Sequence, residues 1–243
     1  MTIIDDLVAE QDRLEEILAA LPGPAWLAPS AAAGWSVTDV VLHLAQSEEA
    51  VAATGAGMGL SRPAGSADSV DQIMDQLVRA ERAEPAVVFE RWRQARRAAV
   101  DALLEADPQQ LLTWVEAPLK PATLATTRLA EHWAHGLDIT GPLGIDYPDT
   151  DRLRHVAWLA HRTLPYALSL TGAPPGAVHA DLTAPDGVTR WQFGPADAES
   201  AITGPAGDFA RVAAQRLAPA DSALTATGPL GQPALAVLRT YAA

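Results

Sequence analysis

Glu131 and His135 stand four residues apart in the run Arg128-Leu-Ala-Glu-His-Trp-Ala-His-Gly-Leu-Asp138, with Arg128 three residues before the glutamate and Asp138 three after the histidine. On a helix these spacings place the four side chains along one stripe. A carboxylate and an imidazole at i and i+4 can reach a single cation. Flanked by Leu124, Leu129, Trp133, Ala134 and Leu137, the stripe must either face water or be buried with a partner. A covered polar stripe needs a partner that offsets its desolvation, and a metal ion is the simplest one. His132 lies about 100° further around the helix axis and looks away from that site. Glu131 and His135 on a solvated face would contribute only about 0.2–0.5 kcal/mol.

Two donors hold a divalent ion poorly, so a third must come from elsewhere. His43, in Gly34-Trp-Ser-Val-Thr-Asp-Val-Val-Leu-His-Leu44, is the best candidate. Ser36 followed by Asp39 is a capping box that starts a helix at Val37. His43 then lies two turns inside, on a face shared with Val40, Leu44 and Ser47. A ring nitrogen among apolar neighbours requires a partner. Metal ligation supplies one; Asp39 or a backbone carbonyl is the metal-free alternative.

Trp35-Ser36 leading to His43-Leu44, and Glu131-His-Trp-Ala-His135-Gly-Leu-Asp138 followed by Gly144, together resemble the actinobacterial metal-binding proteins related to mycothiol-dependent maleylpyruvate isomerase, within the wider DinB-like superfamily. The likeness spans the N-terminal two-thirds well and the C-terminal third weakly. It implies a divalent metal held by His43, Glu131 and His135, usually zinc, with iron, nickel or manganese as alternatives. It also implies mycothiol as an external thiol cosubstrate. In that family a C-terminal arginine after a Gly-x-x-x-Asp-Leu-like stretch shapes the active site. The nearest match is Gly204-Pro-Ala-Gly-Asp208-Phe leading to Gln215-Arg216, which implies that Arg216 binds a substrate carboxylate, with Arg211 as the neighbouring candidate.

Arg128 and Asp138, a turn away on either side of the ligands, are read as groups that orient them. Arg128 is also a cofactor-binding candidate, and Asp138 and Asp39 are catalytic candidates. A divalent ion on sulfur favours the nucleophilic thiolate at neutral pH. Added to a polarised double bond, the thiolate leaves a single bond about which rotation occurs, and elimination restores the alkene in the other geometry. A transferase would stop after the addition or displace a leaving group. The expected substrate is a small molecule such as an unsaturated carboxylic acid. The same ligands also suit hydrolase or lyase chemistry through metal-activated water, with Asp39, Glu48 or Asp138 as base. Two further readings are an iron(II) oxygenase and a non-catalytic ligand carrier.

Composition narrows these classes. None of the 243 residues is cysteine, which removes disulfides, cysteine nucleophiles and Cys-rich zinc sites, so any thiol must be brought in. A formal net charge of −13 argues against nucleic acid and anionic membrane surfaces as partners. The opening Met-Thr-Ile-Ile-Asp-Asp lacks the features of a signal peptide, and no stretch approaches a membrane span, so a cytoplasmic monomer or homodimer is expected. With 49% hydrophobic residues the chain can bury a core.

The elements that must position the ligands read mostly as helices. Ile4, Leu7, Val8, Leu14, Ile17, Leu18 and Leu21 mark an amphipathic helix that stops at Pro22-Gly23-Pro24. The His43 helix runs to about Thr54, where Gly55, Gly57, Gly59, Pro63 and Gly65 read as a flexible, lid-like loop. A helix follows Ser69, and a longer one runs from Pro85 to Asp107. The segment 109–121 is irregular, and the Glu131 helix extends to Gly141-Pro142. Four or five helices suggest an up-down bundle, whose core is where facing helices build metal sites. A hinge at 141–148 divides domain 1–145 from domain 146–243. The second opens with a helix at Thr150 or Asp151, in which His155 and His161 are ordinary residues and Trp158 packs. A hairpin over Val178–Phe193, a strand at Ala201-Ile202, a helix over 207–217, the run 224–227 and a last helix over 233–241 complete it. The fold class is α+β, with a sterol-carrier-like second domain implied by the resemblance.

Overall fold

The computed structural model describes residues 2–55, 58, 69–114 and 117–240. They form two compact units, 1–147 and 148–243.

The first unit is helical: α1 (Ile3–Ala20), α2 (Gly23–Trp26), α3 (Val37–Gly55), α4 (Val70–Ala80), α5 (Pro85–Glu105) and α6 (Pro121–Leu143). Local chemistry sets their ends. Thr2 and Asp5 form a capping box at α1, and Ser69 and Gln72 another at α4. At α3 the Ser36 amide donates to Asp39 Oδ2 at 2.9 Å, while the Asp39 amide donates to Ser36 Oγ at 3.2 Å. Pro85 and Pro121 open α5 and α6 at the first helical position, where a missing N–H costs nothing. Gly144 closes α6 in the left-handed conformation. The core joins Leu14 and Leu18 of α1, Trp26 of α2, Leu44 of α3, Trp92 of α5 and Ile139 of α6, all buried. The one-turn α2 was not expected: Pro22-Gly23-Pro24 signals a break, yet its prolines also favour the first turn of a new helix. The lid-like loop with Gly57, Gly59, Pro63 and Gly65 lies outside the described residues.

The second unit holds α7 (Leu153–Ser169), β1 (Val178–Thr183), β2 (Arg190–Phe193), β3 (Ser200–Pro205), α8 (Ala206–Ala213), β4 (Thr225–Thr227) and α9 (Gly231–Val237). The strand order is β2-β1-β3-β4. β1 pairs with β2 antiparallel, Leu182 opposite Trp191, and with β3 parallel, Ala180 opposite Ile202. The fold is α+β. The expected helix over 207–217 ends at Ala213, because Gln215 takes a left-handed φ of 59°. The Arg216 amide then donates to the Arg211 carbonyl and the Gln215 amide to that of Val212, the paired bonds of a Schellman stop. The last helix ends at Val237 rather than continuing towards residue 241. No helix of the described residues is long and apolar enough to cross a membrane.

Candidate metal centre

Helix α6 delivers Glu131 and His135 on one face, and α3 delivers His43 from opposite. Glu131 Oε2 lies 3.4 Å from His135 Nε2 and 3.7 Å from His43 Nε2. One donor atom from each residue lies within 4.8 Å of the other two, the only such cluster among the described residues. Donors each about 2.0–2.2 Å from a tetrahedral ion stand roughly 3.3–3.6 Å apart, so the spacing fits a divalent cation with little movement. Both imidazole side chains are 10% exposed and the Glu131 side chain 36%, so the cluster has an open side.

Burial and neighbouring charges act differently on the three side chains. Burial pushes His43 down, beyond what Glu131 restores, which keeps the ring neutral and able to donate its lone pair. Burial would raise the Glu131 carboxyl, but hydrogen bonds to His135 and His43 and the charge of Arg128 outweigh it and hold it well below the usual range. Burial likewise works against protonated His135, yet Asp138 and Glu131 raise it. His135 Nδ1 is 2.9 Å from Asp138 Oδ2, the partner an imidazole ligand needs to present Nε2 to a metal. Asp138 thus sits where a ligand-orienting group belongs.

Arg128 points into a buried layer beneath the cluster. Its Nε donates to Glu48 Oε1 at 2.9 Å, with the two side chains 4% and 0% exposed, and its guanidinium lies 5.6 Å from the Trp114 ring centre. Because His43 faces Glu131 and His135 while Glu48 faces Arg128, α3 and α6 run antiparallel here. Burial raises the Glu48 carboxyl, against the pull of Arg128. His132 does look away from the ligands, as its position implies, but into the core. Its Nδ1 lies 2.9 Å from the Arg128 carbonyl and its Nε2 accepts from Trp92 Nε1 at 3.3 Å. Burial and then Arg128 push it down to about 3, so it is a neutral structural ring.

Asp39 is placed elsewhere. Arg82 donates Nε to its Oδ1 at 2.8 Å and Nη2 to its Oδ2 at 3.0 Å, and Ser36 takes the cap bonds. Those partners outweigh burial and lower its carboxyl, so Asp39 is engaged at the start of α3. Arg211 and Arg216 belong to the second unit. Arg211 forks onto Asp149 at 2.7 and 2.8 Å, and Arg216 Nη1 donates to the Ala214 carbonyl at 2.6 Å. His161 Nε2 lies 2.8 Å from the Val178 carbonyl in the same unit. Sequence reasoning passed over Trp35 beyond its motif, although its ring centre stands 5.2 Å from that of His43 and 6.4 Å from that of His135.

Residues 7–140 match the family model of the mycothiol maleylpyruvate isomerase N-terminal domain. Uncharacterized proteins from two Mycobacterium tuberculosis strains, CDC 1551 / Oshkosh and H37Rv, are each 35% identical over 221 residues, covering 88% of this chain and 85% of their own. Crystal structures of the mycothiol-dependent maleylpyruvate isomerase and of a histidine-to-alanine mutant of it share the fold, each at a TM-score of 0.64, with 17% and 15% identity and coverage of 94% of this chain and 92% of theirs. The matched segment carries the whole His43, Glu131 and His135 cluster together with Asp138. With that segment spanning more than half its length, the chain belongs to the mycothiol maleylpyruvate isomerase family.

Proposed function

We propose that this chain binds a divalent cation, zinc foremost, through His43, Glu131 and His135, and uses it with mycothiol either to isomerise a small unsaturated carboxylic acid or to add the thiol across its double bond. The observation that carries the reading is the convergence of two imidazoles and one carboxylate within 4.8 Å of one another, open on the Glu131 side. When bound there, the cation favours deprotonation of a thiol at neutral pH. The chain has no cysteine of its own to supply that thiol. Three protein ligands leave a coordination position for an incoming group, the mark of a catalytic site rather than a closed structural one.

The chain's residues then divide the work. Asp138 holds the Nδ1 proton of His135 and so fixes the nitrogen that faces the ion. Glu131, held ionised, contributes the charge that keeps the cation in place. Arg128, backed by Glu48, carries a positive charge beneath the ligands. In the isomerase reaction the thiolate forms a C–S bond at one alkene carbon, and the electron pair moves towards the adjacent carbonyl. Rotation follows, and expulsion of the same thiolate restores the double bond with no net change in composition. A transferase would retain the C–S bond and add a proton.

The test has two parts. Elemental analysis of protein purified without added metal should give about one divalent ion per chain, lost in His43→Ala and His135→Ala; variants that keep stoichiometric metal would remove the reading. Wild-type protein incubated with mycothiol and cis-configured unsaturated diacids should then consume absorbance only when thiol is present. Thiol-independent, water-dependent turnover would instead establish the hydrolase or lyase chemistry.

A further inference from the structure

His135 and His43 are supported differently. His135 Nδ1 has Asp138, whereas His43 Nδ1 is buried and has no hydrogen-bond partner among the described residues. A metal-bound imidazole is ordinarily fixed by a bond from its second nitrogen, so something else must fix the His43 ring. The neighbour present is Trp35, tilted by 47° at 5.2 Å from His43 and nearly parallel, at 27°, to His135. Trp35 is itself anchored. Its indole N–H donates to Asp75 Oδ1 at 2.9 Å, and Asp75 Oδ2 accepts from Arg79 Nε at 2.7 Å. Both acidic and basic residues are on α4, which supplies no ligand. Gly34, with a φ of +80° that side chains resist, turns the chain immediately before Trp35.

We propose that Trp35 is the positioning residue for His43 and that Asp75, through the indole N–H, sets the geometry and affinity of the metal centre, which makes α4 part of it. The inference rests on metal binding at His43, Glu131 and His135. A tryptophan has two side-chain torsions, and an indole packed against one edge of a ring can turn about them unless its polar end is tied. The Asp75 bond is that tie. Loss of it frees the indole, which braces His43 together with the His135 ring, whose centre stands 5.0 Å away.

Three variants of the full chain test the proposal: Asp75→Ala, Asp75→Asn and Arg82→Ala. Each is assayed for zinc affinity by chelator competition and for the visible bands of the cobalt-substituted protein. Asp75→Ala should weaken zinc by about tenfold, the scale set by loss of an orienting partner, and shift the cobalt bands. Asp75→Asn retains an oxygen that accepts from the indole and should restore both readouts. Arg82→Ala cuts a different tie to α3, from the turn after α4 to Asp39, and should leave affinity within about twofold of wild type. Should Asp75→Ala fail to fold, Trp35→Phe keeps a ring, loses the bond and should show the same weakening. Unchanged affinity and bands in Asp75→Ala or Trp35→Phe overturn the proposal, as does Arg82→Ala weakening zinc equally. Wild-type protein that takes up no metal removes the metal reading as well, whereas wild-type uptake with insensitive variants removes only this inference.

Discussion

His135 Nδ1 and Asp138 Oδ2 meet at 2.9 Å, three residues apart on α6, so one helix supplies both a candidate ligand and the group that holds its ring. Asp138 is 2% exposed, which leaves no water to substitute for it readily. Asp138→Ala should lower zinc affinity by roughly 10- to 100-fold while leaving His43 and Glu131 in place. Chelator competition measures it, and an unchanged affinity would show that the ring is aimed by packing instead.

Metal uptake should release a proton. The neighbouring Asp138 and Glu131 outweigh burial and raise His135 above its ordinary 6.5. In the metal-free protein its charged form therefore stabilises the fold fully below that value, and the contribution is lost as pH rises through the raised value. A metal needs the neutral ring, so its affinity should climb with pH through the same window and flatten above it. Calorimetry in two buffers of different ionisation enthalpy should show about one proton displaced per ion on the acidic side, falling towards zero on the alkaline side.

The Glu48–Arg128 pair should behave as a buried pair whose halves cannot be removed singly. Glu48→Leu or Arg128→Met alone strands a charge and should destabilise by about 3–5 kcal/mol, whereas the double variant should recover most of that loss. Urea unfolding of the four proteins of this cycle decides it. Additive losses would show that the two groups do not depend on one another.

Gly136 admits Tyr147. A Cβ at position 136 would stand 2.5 Å from the tyrosine oxygen and 2.6 and 2.9 Å from two ring carbons, while the hydroxyl donates to Glu10 Oε1 at 2.6 Å. Gly136→Ala should cost about 1–3 kcal/mol by overpacking. Adding Tyr147→Phe should not recover it, since the ring carbons remain in the way. Thermal unfolding of the single and double variants gives the answer.

The clustering of the candidate trio was legible because its information is local. A four-residue spacing puts Glu131 and His135 together on any helix, and the Ser36–Asp39 box fixes the phase of α3, and so the direction His43 faces, from four residues alone. Asp138 followed from the same stripe. The supporting layer was not legible, since Glu48 meets Arg128 across 80 residues and Trp92 meets His132 across 40, and neither separation leaves a periodic trace. Trp35 and Asp75, also 40 apart, are hidden for the same reason. Asp39 was legible as the cap of α3, but its fork with Arg82 was not, since 43 residues separate the two. The stop of α8 at Gln215 was missed because a left-handed residue there is ordinarily glycine.

The antiparallel meeting of Glu48 with Arg128 also works as a ratchet tooth. Sliding α3 along α6 by a single residue would carry His43 about 1.5 Å out of line, a shift that packing among small apolar side chains could absorb. The same slip would pull a dry carboxylate from its guanidinium, which packing cannot absorb. Misalignment of His43 against Glu131 and His135 is thereby tied to a penalty in the interior, and the spacing of the three is guarded by residues outside their cluster.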